Sequence, residues 1–172
     1  MSKFIFIAGG ARSGKSRLCV ELARKLGKKT LFIATCVPQD SEMKKRISLH
    51  KKARPLNWKT TVAQTDIKSV LLKAQGKFDV VILDCLSLFL SNLLAKGLND
   101  NKIVKEMELT AKAMSKGCYT AIVVSNETGE GIVPANPLAR RFRDLLGTSN
   151  QIMAGYADTA YMMHVGIPTK IK

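Results

Sequence analysis

The sequence has no apolar run that approaches the roughly 18 residues of a membrane-spanning helix. Its first residues also lack the apolar core and small-residue cleavage site of a signal peptide. Cysteine is scarce, because Cys19, Cys36, Cys85 and Cys118 form no CxxC pair and no histidine cluster lies near them. Neither a zinc site nor a disulfide framework is indicated. We therefore expect a soluble, cytoplasmic protein with reduced thiols.

Aromatic and acidic residues are also few. Aromatic residues make up 6% of the chain, and 13 Asp and Glu stand against 28 Lys and Arg, which gives a net charge of +15. The excess is concentrated in residues 1–60, where 15 basic and 3 acidic residues leave a balance of +12. Such a surface attracts nucleic acids, membrane surfaces and phosphorylated small molecules alike. The net charge alone does not distinguish among these ligand classes.

Length and composition favour one ordinary domain. A chain of 172 residues can bury one hydrophobic core, and 46% hydrophobic with 24% charged residues is typical of globular proteins. Strands are predicted at residues 3–8, 30–35, 78–83, 119–124 and 160–165, and helices at 15–26, 40–53, 66–72, 86–94, 103–114 and 138–157. The alternation predicts an α/β three-layer fold over residues 1–172, with a mostly parallel central sheet and residues 160–165 as an antiparallel edge strand.

A glycine-rich motif follows the first predicted strand. Residues 9–16 read Gly-Gly-Ala-Arg-Ser-Gly-Lys-Ser, which matches G-x-x-x-x-G-K-S/T between a strand and a helix. Backbone N–H groups and the positive end of the following helix would cradle phosphate oxygens. Lys15 would reach the β- and γ-phosphates, and the Ser16 hydroxyl would hold Mg²⁺. The alternative is a glycine-rich turn that binds no ligand.

Asp84 is a candidate for the second half of such a site. It follows the apolar run 80–83 and is expected at the carboxyl end of a buried parallel strand, where open α/β sheets bind ligands. A carboxylate at that position assists Mg²⁺ binding. The alternative is that Asp84 caps the helix that begins near Leu86. Together with the motif at 9–16, the pattern predicts a P-loop NTPase-like fold and leaves the reaction open.

The sequence contains two histidines. His164 lies in an apolar segment, where a histidine satisfied within a strand is expected. His50 lies in residues 46–54, whose lysines and arginines favour the neutral, nucleophilic imidazole and can stabilise a phosphoryl transition state. The alternative is a solvated basic helix that carries a histidine without a chemical role.

Small-molecule kinases, nucleic-acid ATPases and nucleotidyltransferases are all consistent with a phosphate loop, and further motifs distinguish among them. They lie at residues 9–16, 33–35, 42–43 with 46–47, 50, 54–55, 58, 83–86, 91–94, 125–129, 131–134, 138–144 and 150–151. In order and spacing from residue 4 to the C-terminus, these motifs resemble the bifunctional adenosylcobinamide kinase / adenosylcobinamide-phosphate guanylyltransferase family of cobalamin biosynthesis.

The resemblance implies two reactions. One phosphorylates the aminopropanol hydroxyl of adenosylcobinamide with ATP or GTP. The other transfers GMP from GTP to that phosphate through a GMP-histidine on His50, which gives adenosylcobinamide-GDP and pyrophosphate; imidazole suits this role because it is both nucleophile and leaving group. The substrates would be small molecules, with no nucleic-acid or membrane partner, and the family implies a homotrimer.

The resemblance also assigns residues. Catalytic roles fall to His50 and Lys15, and Mg²⁺ would be held by Ser16 and Asp84. The implied nucleotide-binding positions are Gly9, Gly10, Ala11, Arg12, Ser13, Gly14, Lys15, Ser16, Ala34, Thr35, Cys36, Lys51, Lys52, Ala53, Arg54, Val62 and Asp84.

One departure from the family bears on base recognition. The family commonly has Glu where this chain has Val62, and a carboxylate can accept hydrogen bonds from the N1–H and N2 amino groups of guanine, whereas valine cannot. We therefore expect the kinase step to prefer GTP over ATP only weakly, and the guanylyl step to stay selective for GTP. A second departure is Pro137 after Asn136, where the family often has arginine.

Two other functions compete with this interpretation. The first is a nucleic-acid-binding P-loop protein, which the basic N-terminal third would suit. Proteins that bind single strands place aromatic side chains, on which the bases stack, among basic residues, and this sequence has few aromatic residues and no such pattern. A kinase that has lost guanylyl transfer is the other alternative, which the presence of His50 disfavours.

Overall fold

The structure is a computed structural model that describes residues 3–36, 45, 48 and 54–172. The strands are β1 (Phe4–Gly9), β2 (Thr30–Ala34), β3 (Lys59–Val62), β4 (Val80–Asp84), β5 (Thr120–Val124), β6 (Thr159–His164) and β7 (Ile167–Lys170). The helices are α1 (Lys15–Leu26), α2 (Ile67–Ala74), α3 (Leu86–Ala95), α4 (Asp100–Ser115) and α5 (Pro137–Tyr156). Of the helix predicted at 40–53, Lys45 and Ser48 are described and are helical, and its other residues lie outside the described ones.

The described strands form one sheet in the order β3-β2-β4-β5-β1-β6-β7. Neighbouring strands are parallel except for the antiparallel pair β6 and β7, so the predicted mostly parallel sheet with an antiparallel edge is confirmed. The prediction that residues 160–165 form that edge was wrong. β6 runs parallel to β1, with Ile5 opposite Thr159, and β7 covers its other side.

Two short strands were missing from the predicted set, and both lie at the edges of the sheet. β3 (Lys-Thr-Thr-Val) and β7 (Ile-Pro-Thr-Lys) are almost entirely exposed, so neither contains the buried apolar run that marks a central strand. The proline in β7 is tolerated because an edge strand can leave one side of its backbone unpaired.

Helices cover both faces of the sheet and create two cores. On one face, apolar side chains of the central strands pack against α2, α3, α4 and α5. On the other face, Ile7, Phe32 and Ile82 pack against α1 and Trp58. The three-layer fold is thus confirmed, and it brings the carboxyl ends of β1, β2 and β4 to the same edge. No helix within the described residues combines the length and apolar character needed to cross a membrane.

Candidate functional site

The motif at residues 9–16 forms the loop that joins β1 to α1, as predicted. Gly14 is the N-cap of α1 and has a left-handed backbone with φ 96°, which glycine adopts without steric cost. A glycine cap has no side chain to bond the first N–H groups of α1, so the helix end suits an anion. The outer side of the loop is held by the Gly166 N–H, which donates to the Ser13 carbonyl at 3.1 Å.

Lys15 is the first residue of α1, and its side chain is buried inside the loop. Its Nζ donates to the carbonyl oxygens of Gly9 at 2.9 Å and Gly10 at 2.6 Å. Burial lowers the pKa of Lys15, while the nearby Cys85 and Asp84 act in the opposite direction. The ammonium is therefore already placed in the concavity where a phosphate would lie.

Two glycine substitutions test how tightly the loop is packed. Gly9 has φ 153°, and a Cβ there would lie 2.7 Å from the Met163 carbonyl oxygen and 2.9 Å from Ser13 Oγ. A Cβ at Gly10 would meet nothing within 4 Å. We expect Gly9→Ala to lower the free energy of unfolding by about 1–3 kcal/mol and the Tm by several degrees. Gly10→Ala should leave the Tm almost unchanged, and equal Tm values in a thermal melt would contradict this packing.

Asp84 ends β4 on the same face of the sheet as α1. It is in register with Ala34 of β2, which is in turn in register with Val62 of β3. Since registered residues of parallel strands point to the same side, the three side chains form a row on the face of the sheet that α1 packs against, with Val62 about 10 Å from the β4 strand. The N-cap of α3 is Cys85, so the alternative that Asp84 caps this helix was wrong.

Thr35 ties the carboxyl ends of β2 and β4 together. Its Oγ1 donates to the Cys85 carbonyl and accepts from the Cys85 N–H, both at 2.9 Å, and its own N–H donates to the Asp84 carbonyl at 3.2 Å. From α3, the Asn92 side-chain amide donates to the Thr35 carbonyl at 2.9 Å and to the Gln64 carbonyl at 3.0 Å. These hydrogen bonds hold the end of β2 next to the end of β4. The predicted nucleotide-binding positions Ala34, Thr35 and Cys36 therefore lie beside Asp84.

The thiols at this edge are poorly suited to nucleophilic chemistry. Burial, reinforced by the charge of Asp84, raises the pKa of Cys85 to about 11. The same two causes raise the pKa of Cys36. Because a thiolate is the reactive form, both side chains remain protonated and inert near neutral pH.

Arg54 brings a cation to the row that contains Asp84. Its guanidinium carbon lies 3.4 Å from the centroid of the Phe32 ring, a cation–π contact with a fully buried ring. Burial lowers the pKa of Arg54, and the negative charge of Asp84 opposes that shift. The other predicted residues of this basic segment, His50, Lys51, Lys52 and Ala53, lie outside the described residues.

The donors around the loop suit Mg²⁺ only in company with a nucleotide. Across residues 3–36 and 54–172, no group of three or more His, Cys, Asp or Glu side chains could hold a metal ion. The half-buried Ser16 hydroxyl and the Asp84 carboxylate are two hard oxygen atoms that could serve as ligands. A cation there would complete its shell with phosphate and water oxygens, which is how Mg²⁺ usually binds in phosphoryl-transfer sites.

Several polar residues at this edge received no role from the sequence. They include Asn92, Glu127 and Asn150, although all three lie within motifs of the resemblance. One sequence feature could have indicated Glu127: the polar segment at 125–129 follows a predicted buried strand, just as Asp84 does. His164 does lie in a strand, as its last residue, and its side chain is exposed.

The sequence profile of the cobinamide kinase / cobinamide phosphate guanyltransferase family matches residues 5–171. The chain belongs to this family. The bifunctional adenosylcobalamin biosynthesis protein CobU of Salmonella typhimurium is 36% identical over 180 residues, which span 98% of this chain and 99% of that protein. CobP of Pseudomonas aeruginosa, with the same description, is 35% identical over 166 residues, or 96% of this chain and 95% of that protein. The resemblance deduced from the motifs is confirmed.

Solved structures of distant proteins share the fold. The RadB recombinase superposes with a TM-score of 0.53 at 12% identity over 93% of this chain and 73% of that one. The ATP synthase subunit NeqB of Nanoarchaeum equitans gives a TM-score of 0.55 at 14% identity, covering 95% of this chain and 45% of that one. At these identities the likeness concerns the fold alone, and with the loop at 9–16 it confirms the P-loop NTPase-like architecture.

Proposed function

We propose that this protein is a bifunctional adenosylcobinamide kinase and adenosylcobinamide-phosphate guanylyltransferase, with residues 1–172 acting as one catalytic domain. The observation that carries the proposal is the family match over residues 5–171, in a chain whose phosphate loop, Lys15 and Asp84 meet at one edge of the sheet. Membership supports the pair of reactions, and the geometry supports the binding of a nucleoside triphosphate.

In the kinase reaction, the loop at 9–16 and the N-terminus of α1 bind the triphosphate of ATP or GTP. Lys15 turns from the carbonyls of Gly9 and Gly10 to the β- and γ-phosphates, whose charge grows in the transition state. Ser16 and Asp84 would hold the Mg²⁺ that accompanies the nucleotide, and the ion would supply positive charge to the phosphates. The hydroxyl of adenosylcobinamide then takes the γ-phosphoryl group.

In the guanylyl reaction, His50 attacks the α-phosphorus of GTP and pyrophosphate leaves. A phosphate oxygen of adenosylcobinamide phosphate then displaces the imidazole, which gives adenosylcobinamide-GDP. Arg54, stacked on Phe32 near Asp84, offers a positioned cation for the phosphates of the nucleotide. Lys51, Lys52 and Ala53 complete this nucleotide contact in the proposal.

The assembly and compartment follow from the same proposal. The family resemblance supports a homotrimer, and in the proposal the subunit interfaces contribute to the active sites. The cytoplasm is the expected compartment, because both reactions consume nucleoside triphosphates.

The proposal is tested with the purified full chain and Mg²⁺. Adenosylcobinamide with γ-labelled ATP should give labelled adenosylcobinamide phosphate, and α-labelled GTP should leave label on the protein until adenosylcobinamide phosphate is added. Phosphorylation without protein label would show a kinase alone. NTP hydrolysis that rises with single-stranded DNA, without either transfer, would instead support the nucleic-acid alternative.

Val62 tests how the base is recognised. Its side chain is 59% exposed at the end of β3, in register with Ala34, so a longer residue fits without repacking the core. We expect Val62→Glu to raise the GTP/ATP ratio of kcat/KM for the kinase step at least tenfold, since a hydrogen bond to a charged group contributes about 1.5–3 kcal/mol.

The matched control for this change is Val62→Leu, which adds length without an acceptor and should leave the ratio unchanged. Steady-state kinetics with each nucleotide measure both variants. If Val62→Glu leaves the ratio unchanged in both reactions, position 62 does not contact the base.

A further inference from the structure

A cleft of about 340 Å³ opens beside the phosphate loop. Residues of the loop from Gly10 to Ser13 form one wall, the segment that follows β5 forms the second with Glu127 and Glu130, and the end of β6 forms the third. The volume lies at the small end of the range of about 300–1,000 Å³ for ligand pockets, so the cleft suits a small ligand or a side arm of a larger one. The loop residues of the first wall have a proposed role in nucleotide binding, whereas the residues of the other two walls have been given no role above.

Glu127 is fixed directly to the phosphate loop. Its backbone N–H donates to the Gly9 carbonyl at 2.9 Å, and Lys15 Nζ donates to the same oxygen at the same distance. The carbonyl of Gly9 thus connects Glu127 to the ammonium that would meet the terminal phosphates. The order of the sheet agrees, because β5 lies between β1, which leads into the loop, and β4, which ends at Asp84.

The carboxylate of Glu127 is also held in position. Oε1 accepts from the Gly129 N–H at 2.6 Å, and Oε2 accepts from the Asn150 side-chain amide at 3.3 Å. Asn150 is itself buried and anchored by Ser125 Oγ, which donates to its Oδ1 at 2.6 Å. Each carboxylate oxygen has two lone pairs, so each keeps one for a substrate hydroxyl in the cleft.

The chemistry of the walls favours a neutral guest over a phosphate. Two carboxylates, Glu127 and Glu130, line the cleft, and Arg12 is the one lysine or arginine among its lining residues. The walls therefore carry a net negative charge, which disfavours the anionic part of a nucleotide. That part is attracted instead by Lys15 and the N-terminus of α1. The half-buried Met162 adds an apolar surface suited to methylene groups. A neutral, hydroxyl-bearing arm satisfies both conditions.

We infer that this cleft receives the hydroxyl-bearing arm of the phosphoryl acceptor and that Glu127 is the general base of the kinase step; the inference rests on the proposed kinase activity. The hydroxyl oxygen forms a bond to the γ-phosphorus of the nucleotide while the bond from that phosphorus to the β–γ bridging oxygen breaks. The nucleoside diphosphate leaves with the electron pair. The hydroxyl proton passes to the Glu127 carboxylate, which later releases it to water.

Glu127→Gln tests the inference because it keeps the shape of the side chain and removes the base. We expect the kcat of phosphoryl transfer from γ-labelled ATP to adenosylcobinamide to fall about 100-fold or more, with the KM for ATP within twofold of wild type. Labelling by α-labelled GTP without acceptor should be unchanged. Glu108→Gln, the same change on the exposed surface of α4, should leave both measurements unchanged.

A second variant covers the case in which Glu127→Gln disturbs the fold. Glu127→Asp keeps a carboxylate on a shorter stem, so its kcat should exceed that of Glu127→Gln by about tenfold if proton transfer is the role. Equal kcat values for Gln and Asp at this position would overturn the inference.

Three further results would also overturn it. The first is a kcat of Glu127→Gln within fivefold of wild type. The second is a raised KM for ATP at unchanged kcat, which would make the cleft a pocket for the adenine ring. The third is a loss of activity that excess Mg²⁺ restores, which would make Glu127 a metal ligand. A wild-type enzyme that cannot phosphorylate adenosylcobinamide would instead overturn the proposed function, and the inference with it.

Discussion

His50→Asn should abolish covalent labelling of the protein by α-labelled GTP. Asparagine is polar and similar in reach, but its amide nitrogen is neither a nucleophile nor a leaving group, so no protein–GMP bond can form. We expect the label to fall to background, at least about 10³-fold below wild type. Acid lability of the wild-type label would identify a phosphorus–nitrogen bond.

Two controls separate loss of the nucleophile from loss of the fold. His164→Asn removes the other histidine of the chain, which is exposed at the end of β6, and should label like wild type. Phosphoryl transfer to adenosylcobinamide by His50→Asn should stay within a few-fold of wild type, because the phosphate loop does not use the imidazole. Acid-labile label retained on His50→Asn would refute the assignment.

The central part of the fold was predictable because burial leaves a clear pattern in the sequence. β1, β2, β4 and β5 are short apolar runs, and each is buried almost throughout. β3 and β7 are exposed, so local sequence carries little trace of them, and they form because a paired neighbour supplies their hydrogen bonds. Because β7 was not predicted, β6 was wrongly predicted to be the edge strand.

The site was predictable to the extent that it depends on strand ends. The loop at 9–16 and Asp84 each follow a predicted buried strand, and carboxyl ends of parallel strands meet at one edge. The remaining contacts join residues far apart in sequence, such as Asn92 to Thr35 and Asn150 to Glu127. No local pattern specifies such pairs, since helix packing against the sheet determines which side chains meet.

Lys15→Ala should remove most of the kinase activity. The Lys15 ammonium lies inside the loop on the carbonyls of Gly9 and Gly10, and no other lysine or arginine is hydrogen-bonded to these two carbonyls in the described part of the chain. Its loss withdraws a positioned charge from the β- and γ-phosphates as negative charge develops. We expect kcat for phosphoryl transfer to fall about 10³-fold, which corresponds to about 4 kcal/mol of transition-state stabilisation.

Lys25→Ala is the matched control, because Lys25 is exposed in the last turn of the same helix, about 15 Å along the axis from Lys15. It removes the same charge from the protein as a whole, so any effect of net charge on nucleotide attraction appears in both variants and cancels in their ratio. Initial rates at saturating ATP and adenosylcobinamide measure that ratio. A Lys15→Ala enzyme whose rate is within threefold of that of Lys25→Ala would show that Lys15 does not stabilise the transferred phosphoryl group.

If the loop also holds the GTP that guanylylates His50, Lys15→Ala should lose protein labelling as well, whereas two separate nucleotide sites would leave the label intact.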